Sequence, residues 1–103
     1  MKILTEKIKY WARERGLNMA DPARQMLKLV EEIGELAAGM ARGCKDEIID
    51  GIGDAYVVLT ILAMQLGLDI TDCVDAAVNE IADRKGQIVN GVFVKDEDLE
   101  VIR

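Results

Sequence analysis

Apolar residues recur at helical spacing along most of this chain, and the breaks between the runs are short. The first run extends from Ile3 to Arg15 and stops at Gly16. The second opens at Asp21-Pro22, an acidic N-cap followed by proline at the first helical position, and runs to Arg42-Gly43. A third helix is predicted from Asp46 to Leu66-Gly67, and a fourth from Thr71, with Asp69 and Asp72 beside it, to Lys85-Gly86. The tail Val89-Asn90-Gly91-Val92-Phe93-Val94 is β-leaning and punctuated by glycine, which predicts a short strand or a folded-over arm. With no other strand-rich stretch, no repeat and no linker, the pattern predicts one all-α domain over residues 1–103. The expected architecture is a four-helix bundle with a short C-terminal strand or arm.

The third run, Ile48 to Leu66, is apolar enough to suggest a membrane span. Asp50 and Asp54 oppose that reading, because each costs about 2.5–3.5 kcal/mol at a bilayer centre. The uninterrupted apolar part, Ala55 to Met64, is also too short to cross. The run reads better as the central helix of a bundle, covered by neighbours on most sides.

Two groups of carboxylates stand out. On the second helix, at about 100° per residue, Glu31, Glu32 and Glu35 share one stripe, beside a predicted core stripe of Leu29, Ile33, Leu36 and Met40. Arg24, Lys28 and Arg42 lie on the acidic side too, so a plain solvated face is one reading of it. On the third helix Glu47, Asp50 and Asp54 fall within an arc of about 60° that Val58 and Ile61 continue. An ionised Asp on a face that packs into a core needs a partner, either a cation from another helix or a metal. Two antiparallel helices so decorated can gather four carboxylates at one point, and like charges gathered there call for one or two Mg²⁺ ions. A carboxylate-held Mg²⁺ with open positions binds a triphosphate and polarises its phosphoryl oxygens. Gly51 and Gly53 interrupt the third helix beside these acids, leaving space for a substrate or for another backbone.

Composition narrows the chemistry. There is no His, which removes imidazole zinc sites, His bases and the Ser-His and Cys-His pairs together. With 13 Lys and Arg against 19 Asp and Glu, the net charge is −6 and the isoelectric point about 4.6, so a broad phosphate-holding surface for nucleic acid or membrane is not expected. Cys44 and Cys73 are widely spaced and read as free, reduced thiols. Charge appears within the first few residues and no signal-peptide core follows, so a cytoplasmic location is expected. Half the residues are hydrophobic, and a chain of this size buries only about 65% of its unfolded surface, so self-association is expected as well.

The residues that carry the acids also carry a resemblance. Trp11-Ala12-Arg13-Glu14-Arg15-Gly16-Leu17 is followed by Gln25-Met26-Leu27-Lys28-Leu29-Val30-Glu31-Glu32-Ile33-Gly34-Glu35-Leu36-Ala37, which is similar to the K-L-x-E-E-x-x-E-L motif of the MazG-like all-α nucleoside triphosphate pyrophosphohydrolases. These are relatives of the dimeric dUTPases and of phosphoribosyl-ATP pyrophosphatase. Asp50-Gly51-Ile52-Gly53-Asp54, running on through Ala55 to Ala63 and Gly67, resembles the family's second acidic motif. That motif departs from the E-x-x-D form, because Gly51 stands where the Glu belongs. Either Asp50 replaces it from the i−4 position relative to Asp54, or Glu47-Ile48-Ile49-Asp50 is the motif, one helical turn earlier.

The resemblance implies Glu32, Glu35, Asp50 and Asp54 as ligands of Mg²⁺, with Mn²⁺ an alternative ion. It implies Glu31, Glu32 and Glu35 as the catalytic carboxylates, Glu31 and Glu47 standing behind the ligands or holding a second ion. Lys28, Asn79, Arg84 and Lys85 are implied as substrate-binding groups, although Arg84 and Lys85 at a helix C-terminus also suit the helix dipole without a ligand. The implied reaction is cleavage of a (d)NTP between the α and β phosphates, in a homodimer or homotetramer. The other function class is a catalytically silent helical oligomer that acts as an interaction module.

Overall fold

The computed structural model describes residues 1–102, with side chains described as far as Leu99. The elements are α1 (Lys2–Glu14), α2 (Pro22–Arg42), α3 (Lys45–Gln65), α4 (Ile70–Ala82), β1 (Gly86–Val89), β2 (Val92–Lys95) and α5 (Asp96–Ile102), with a 3-10 turn at Leu17–Met19. The described residues form two compact units, divided after Ile70.

Local chemistry sets the ends of the long helices. Asp21 caps α2, its Oδ1 accepting from the Ala23 N–H at 2.9 Å, and Pro22 follows where a missing N–H costs nothing. Gly43 closes α2 in the left-handed region at φ 66°. In the first unit α3 packs against α2, α1 and the 3-10 turn. The core is built of small and β-branched residues: Ala12, Ala55, Val58, Thr60, Ile61, Ala63 and Ile70 are buried. The Thr5 and Tyr56 hydroxyls bond at 2.8 Å between α1 and α3, and the Gln65 amide donates to the Leu17 carbonyl at 2.9 Å, tying the 3-10 turn to α3. Lys9 is buried at the same end, its ammonium 2.7 Å from Asp69 and 3.3 Å from Glu6.

The face that α2 turns inward differs from the predicted core stripe. Gln25, Leu29, Glu32, Leu36, Ala38 and Gly39 are buried or half-buried, whereas Ile33 and Met40 are exposed. Glycine decides the difference. A Cβ on Gly39 would lie 2.9 Å from that of Glu47, and a Cβ on Gly51 would lie 2.9 Å from that of Leu36, so the two backbones approach along this line. The space where a Gly51 side chain would begin is therefore taken by Leu36 of α2, while Gly53 faces open space.

In the second unit α4 ends at Ala82, three residues before the expected stop, and residues 71–82 are all exposed. The predicted strand or arm is a hairpin, with β1 and β2 paired antiparallel from Gly86↔Lys95 to Val89↔Val92. Asn90 and Gly91 turn it at φ 52° and 80°, values that an Asn-Gly pair adopts readily. A fifth helix, α5, adds to the four expected and packs on the hairpin through buried Leu99. Its first turn is acidic, Asp96-Glu97-Asp98, which favours a helix start. Among the described residues no single helix is long and apolar enough to cross a membrane.

Candidate functional site

The close approach at Gly39 and Gly51 sets α2 and α3 antiparallel, with Gly39 beside Glu47 and Leu36 beside Gly51. Continued by one turn, that register brings Glu32 level with Asp54. Two cavities open along the line. One, of about 350 Å³, is lined by Glu35, Ala38 and Arg42 of α2 and by Glu47, Asp50, Gly51 and Asp54 of α3. The other, of about 560 Å³, is lined by Glu32, Asp54, Lys28, Gln25, Arg24, Asp21, Trp11, Leu17, Ala20, Val57, Val58 and Ile61. Asp54 belongs to both.

Glu32 is the buried acid of the set, with its side chain 8% exposed. Its Oε1 is 3.2 Å from the Lys28 ammonium one turn earlier, and its Oε2 is buried without a hydrogen-bond partner. The bond to Glu32 holds the Lys28 amine above its ordinary pKa of 10.5, and Glu31 and Glu35 add to the field. Asp50 and Asp54 are exposed at the cleft, which corrects the expectation that they lie on a core-facing arc. Val58 and Ile61 do enter the core, but the acidic half of α3 borders the α2 seam instead of entering it. Glu47 is held by Arg42, whose Nε donates to it at 3.1 Å and whose Nη2 is closer still.

Six of the residues singled out in sequence therefore lie along one seam: Glu32, Glu35, Glu47, Asp50, Asp54 and Lys28. Glu31 is exposed on the same helix. Among the described residues no three His, Cys, Asp or Glu side chains are drawn together into a single ion cage. Like charges repel, and Glu32 and Glu47 are each engaged by a neighbouring cation. Asn79, Arg84 and Lys85 lie in the second unit. Asn79 is exposed, Arg84 is paired with Glu80 at 2.9 Å, and the Lys85 carbonyl accepts from the Asp96 N–H at 2.8 Å. Arg84 and Lys85 line a cavity of about 480 Å³ with Lys95 and four carboxylates.

Sequence reasoning did not single out Arg24 or Gln25, which line the larger cavity. The signal for Arg24 was present, since Arg24, Lys28 and Glu32 follow one another at i, i+4 on the same face.

The donor set suits a hard divalent cation. Its oxygens are anionic carboxylates with no imidazole or thiolate among them, and the orphaned Oε2 of Glu32 is the kind of buried acceptor that a cation satisfies.

Comparison with known proteins adds to this geometry. The sequence profile of the MazG-like family matches residues 26–92. The chain is 45% identical over 67 residues to the "Uncharacterized 18.2 kDa protein in rep-hol intergenic region" of Haemophilus phage HP1 (strain HP1c1), a match covering 64% of this chain and 41% of that protein. The matched part is thus less than half of the relative's length. No solved structure matches.

Proposed function

This chain belongs to the MazG-like family, and on that footing we propose that it is a divalent-metal-dependent nucleoside triphosphate pyrophosphohydrolase. It cleaves a (d)NTP between the α and β phosphates, giving the monophosphate and pyrophosphate. The observation that carries the reading is the buried, unpartnered Glu32 Oε2 in a side chain that lines the same cavity as Asp54, on a seam that also presents Glu35 and Asp50.

Glu32, Glu35, Asp50 and Asp54 would hold Mg²⁺, or Mn²⁺ in its place. When bound, the ion draws electrons from a phosphoryl oxygen and neutralises charge on the polyphosphate. Glu31 and Glu35 of α2 would take the proton from an attacking water, whose oxygen joins phosphorus as the α–β bridge breaks. Lys28, partly exposed and always protonated near neutral pH, turns from Glu32 to a phosphate oxygen. Nothing in the chemistry requires His or a covalent nucleophile.

The working form is a homodimer or homotetramer, supported by the apolar side chains that α2 leaves outward: Met26, Leu27, Val30, Ile33 and Met40. Free Cys44 and Cys73 suit the reducing cytoplasm. The same exposed face supports the second reading, a helical oligomer without activity. Pyrophosphate release from a (d)NTP panel, with and without Mg²⁺, separates the two. The enzyme releases it only with metal, and a folded Asp54→Asn protein falls to background. Background release by wild type across the panel favours the inactive module.

A further inference from the structure

We propose that the larger cavity is the nucleoside pocket, in which Trp11 stacks on the base and Gln25 reads its edge. The inference rests on the reading of the acid seam as the polyphosphate site.

Asp54 borders both cavities, so a ligand whose phosphates lie along the acids extends naturally into the second one. The two spaces differ in chemistry. The smaller is walled by four carboxylates and one Arg, with only Ala38 and Gly51 besides, so no large apolar side chain is there to cover a base. The larger has Leu17, Val57, Val58 and Ile61 on its walls and, at about 560 Å³, lies in the range of small-molecule sites. Trp11 lines it and is 45% exposed, so this ring is not a core residue. The Arg15 guanidinium sits 4.3 Å from the ring centroid and steadies the indole plane. Tyr56, the other aromatic near the seam in sequence, is committed elsewhere: its hydroxyl bonds Thr5 at 2.8 Å, and it is not on the cavity wall. Gln25 makes only a long contact, 3.4 Å, from its amide nitrogen to the Val58 carbonyl. A carboxamide so lightly held can turn to present a donor and an acceptor together, the pattern that matches a base edge.

Trp11 is the single tryptophan of the chain, so any change in tryptophan fluorescence arises at this residue. The protein with Mg²⁺ is titrated with non-hydrolysable α,β-methylene triphosphates of each base and with inorganic tripolyphosphate, which has no base, calorimetry following binding in parallel. The expected result is quenching by the base-bearing analogues and none by tripolyphosphate, although both bind. Trp11→Ala weakens the analogues by about 5- to 150-fold, the range for loss of one stacked base, and leaves tripolyphosphate unchanged. Trp11→Phe restores most of the affinity, and Gln25→Leu narrows the differences among bases. Analogue binding without quenching overturns the pocket and leaves the acid seam standing, as does an equal loss for analogue and tripolyphosphate in Trp11→Ala. If neither probe binds to the folded protein, the seam reading and the pocket fall together.

Discussion

Leu36 of α2 stands where a side chain on Gly51 of α3 would begin, with 2.9 Å between the two Cβ positions and 3.1 Å to the Leu36 Cα. The contact is what lets the acidic edges of the two helices share a seam. It also explains why no Glu occupies position 51: the side chain would have to enter α2. Asp50, one residue earlier, lines the open cavity instead. Gly51→Ala is expected to destabilise the fold by about 1–3 kcal/mol, since it overpacks a backbone contact. Gly53→Ala, which meets open space, is expected to stabilise it by up to about 1 kcal/mol through helix propensity. Urea denaturation of the two variants measures both signs, and equal effects would contradict the packing.

If the seam holds Mg²⁺, the ion binds the folded arrangement alone and raises its stability. At a hundredfold excess over Kd the gain is about 2.7 kcal/mol, several degrees in Tm for a domain of this size. Monovalent salt at matched ionic strength gives much less, because it screens charge without coordinating oxygen. The Asp50→Asn, Asp54→Asn double variant is expected to lose most of the Mg²⁺ shift, whereas Asp96→Asn and Asp98→Asn in α5 keep it. A thermal melt series reads all three, and like responses in wild type and the double variant would move the metal site elsewhere.

Lys9 tests the other end of the first unit. Its ammonium is raised above the ordinary 10.5, chiefly by its bond to Asp69 with Glu6 adding and burial opposing. A pKa higher in the folded than in the unfolded chain means a contribution that is whole below about pH 10.5 and lost as pH rises through the folded value. Lys9→Met is expected to cost about 1–2 kcal/mol near neutral pH, low for a charged hydrogen bond because Asp69 is half-exposed. Denaturation midpoints of the two proteins should stay parallel from about pH 6 to 9 and approach each other above about pH 10.5.

Self-association has a direct measure. Leu27 is 65% exposed and Val30 59%, beside Met26, Ile33 and Met40 on the same helix. At micromolar concentration light scattering is expected to give a mass at least twice the 11.4 kDa chain. A paired Val30→Glu, Ile33→Glu variant is expected to shift toward the monomer. Wild type scattering as 11.4 kDa would show that the chain covers these residues without a second copy.

The sequence by itself determined whatever depends on near neighbours. Asp21-Pro22 starts α2 and Gly43 stops it, because caps, proline and positive-φ glycine act within one turn. That Glu31, Glu32 and Glu35 share a stripe of α2, and Glu47, Asp50 and Asp54 a stripe of α3, follows from helical spacing alone. Tertiary structure decided which of these acids is buried. Periodicity finds a stripe but not the helix that will cover it, and here the two glycines, Gly39 and Gly51, chose the seam by closeness of approach. That choice buried Glu32, left Asp50 and Asp54 at the cleft, and turned Ile33 and Met40 outward. It is also the fold that puts Trp11, from α1, on the wall that Glu32 and Asp54 share. The short α5 is not legible in the sequence for a related reason: a helix of seven residues is unstable alone and forms where Leu99 is buried on the hairpin, a contact made in space and not along the chain.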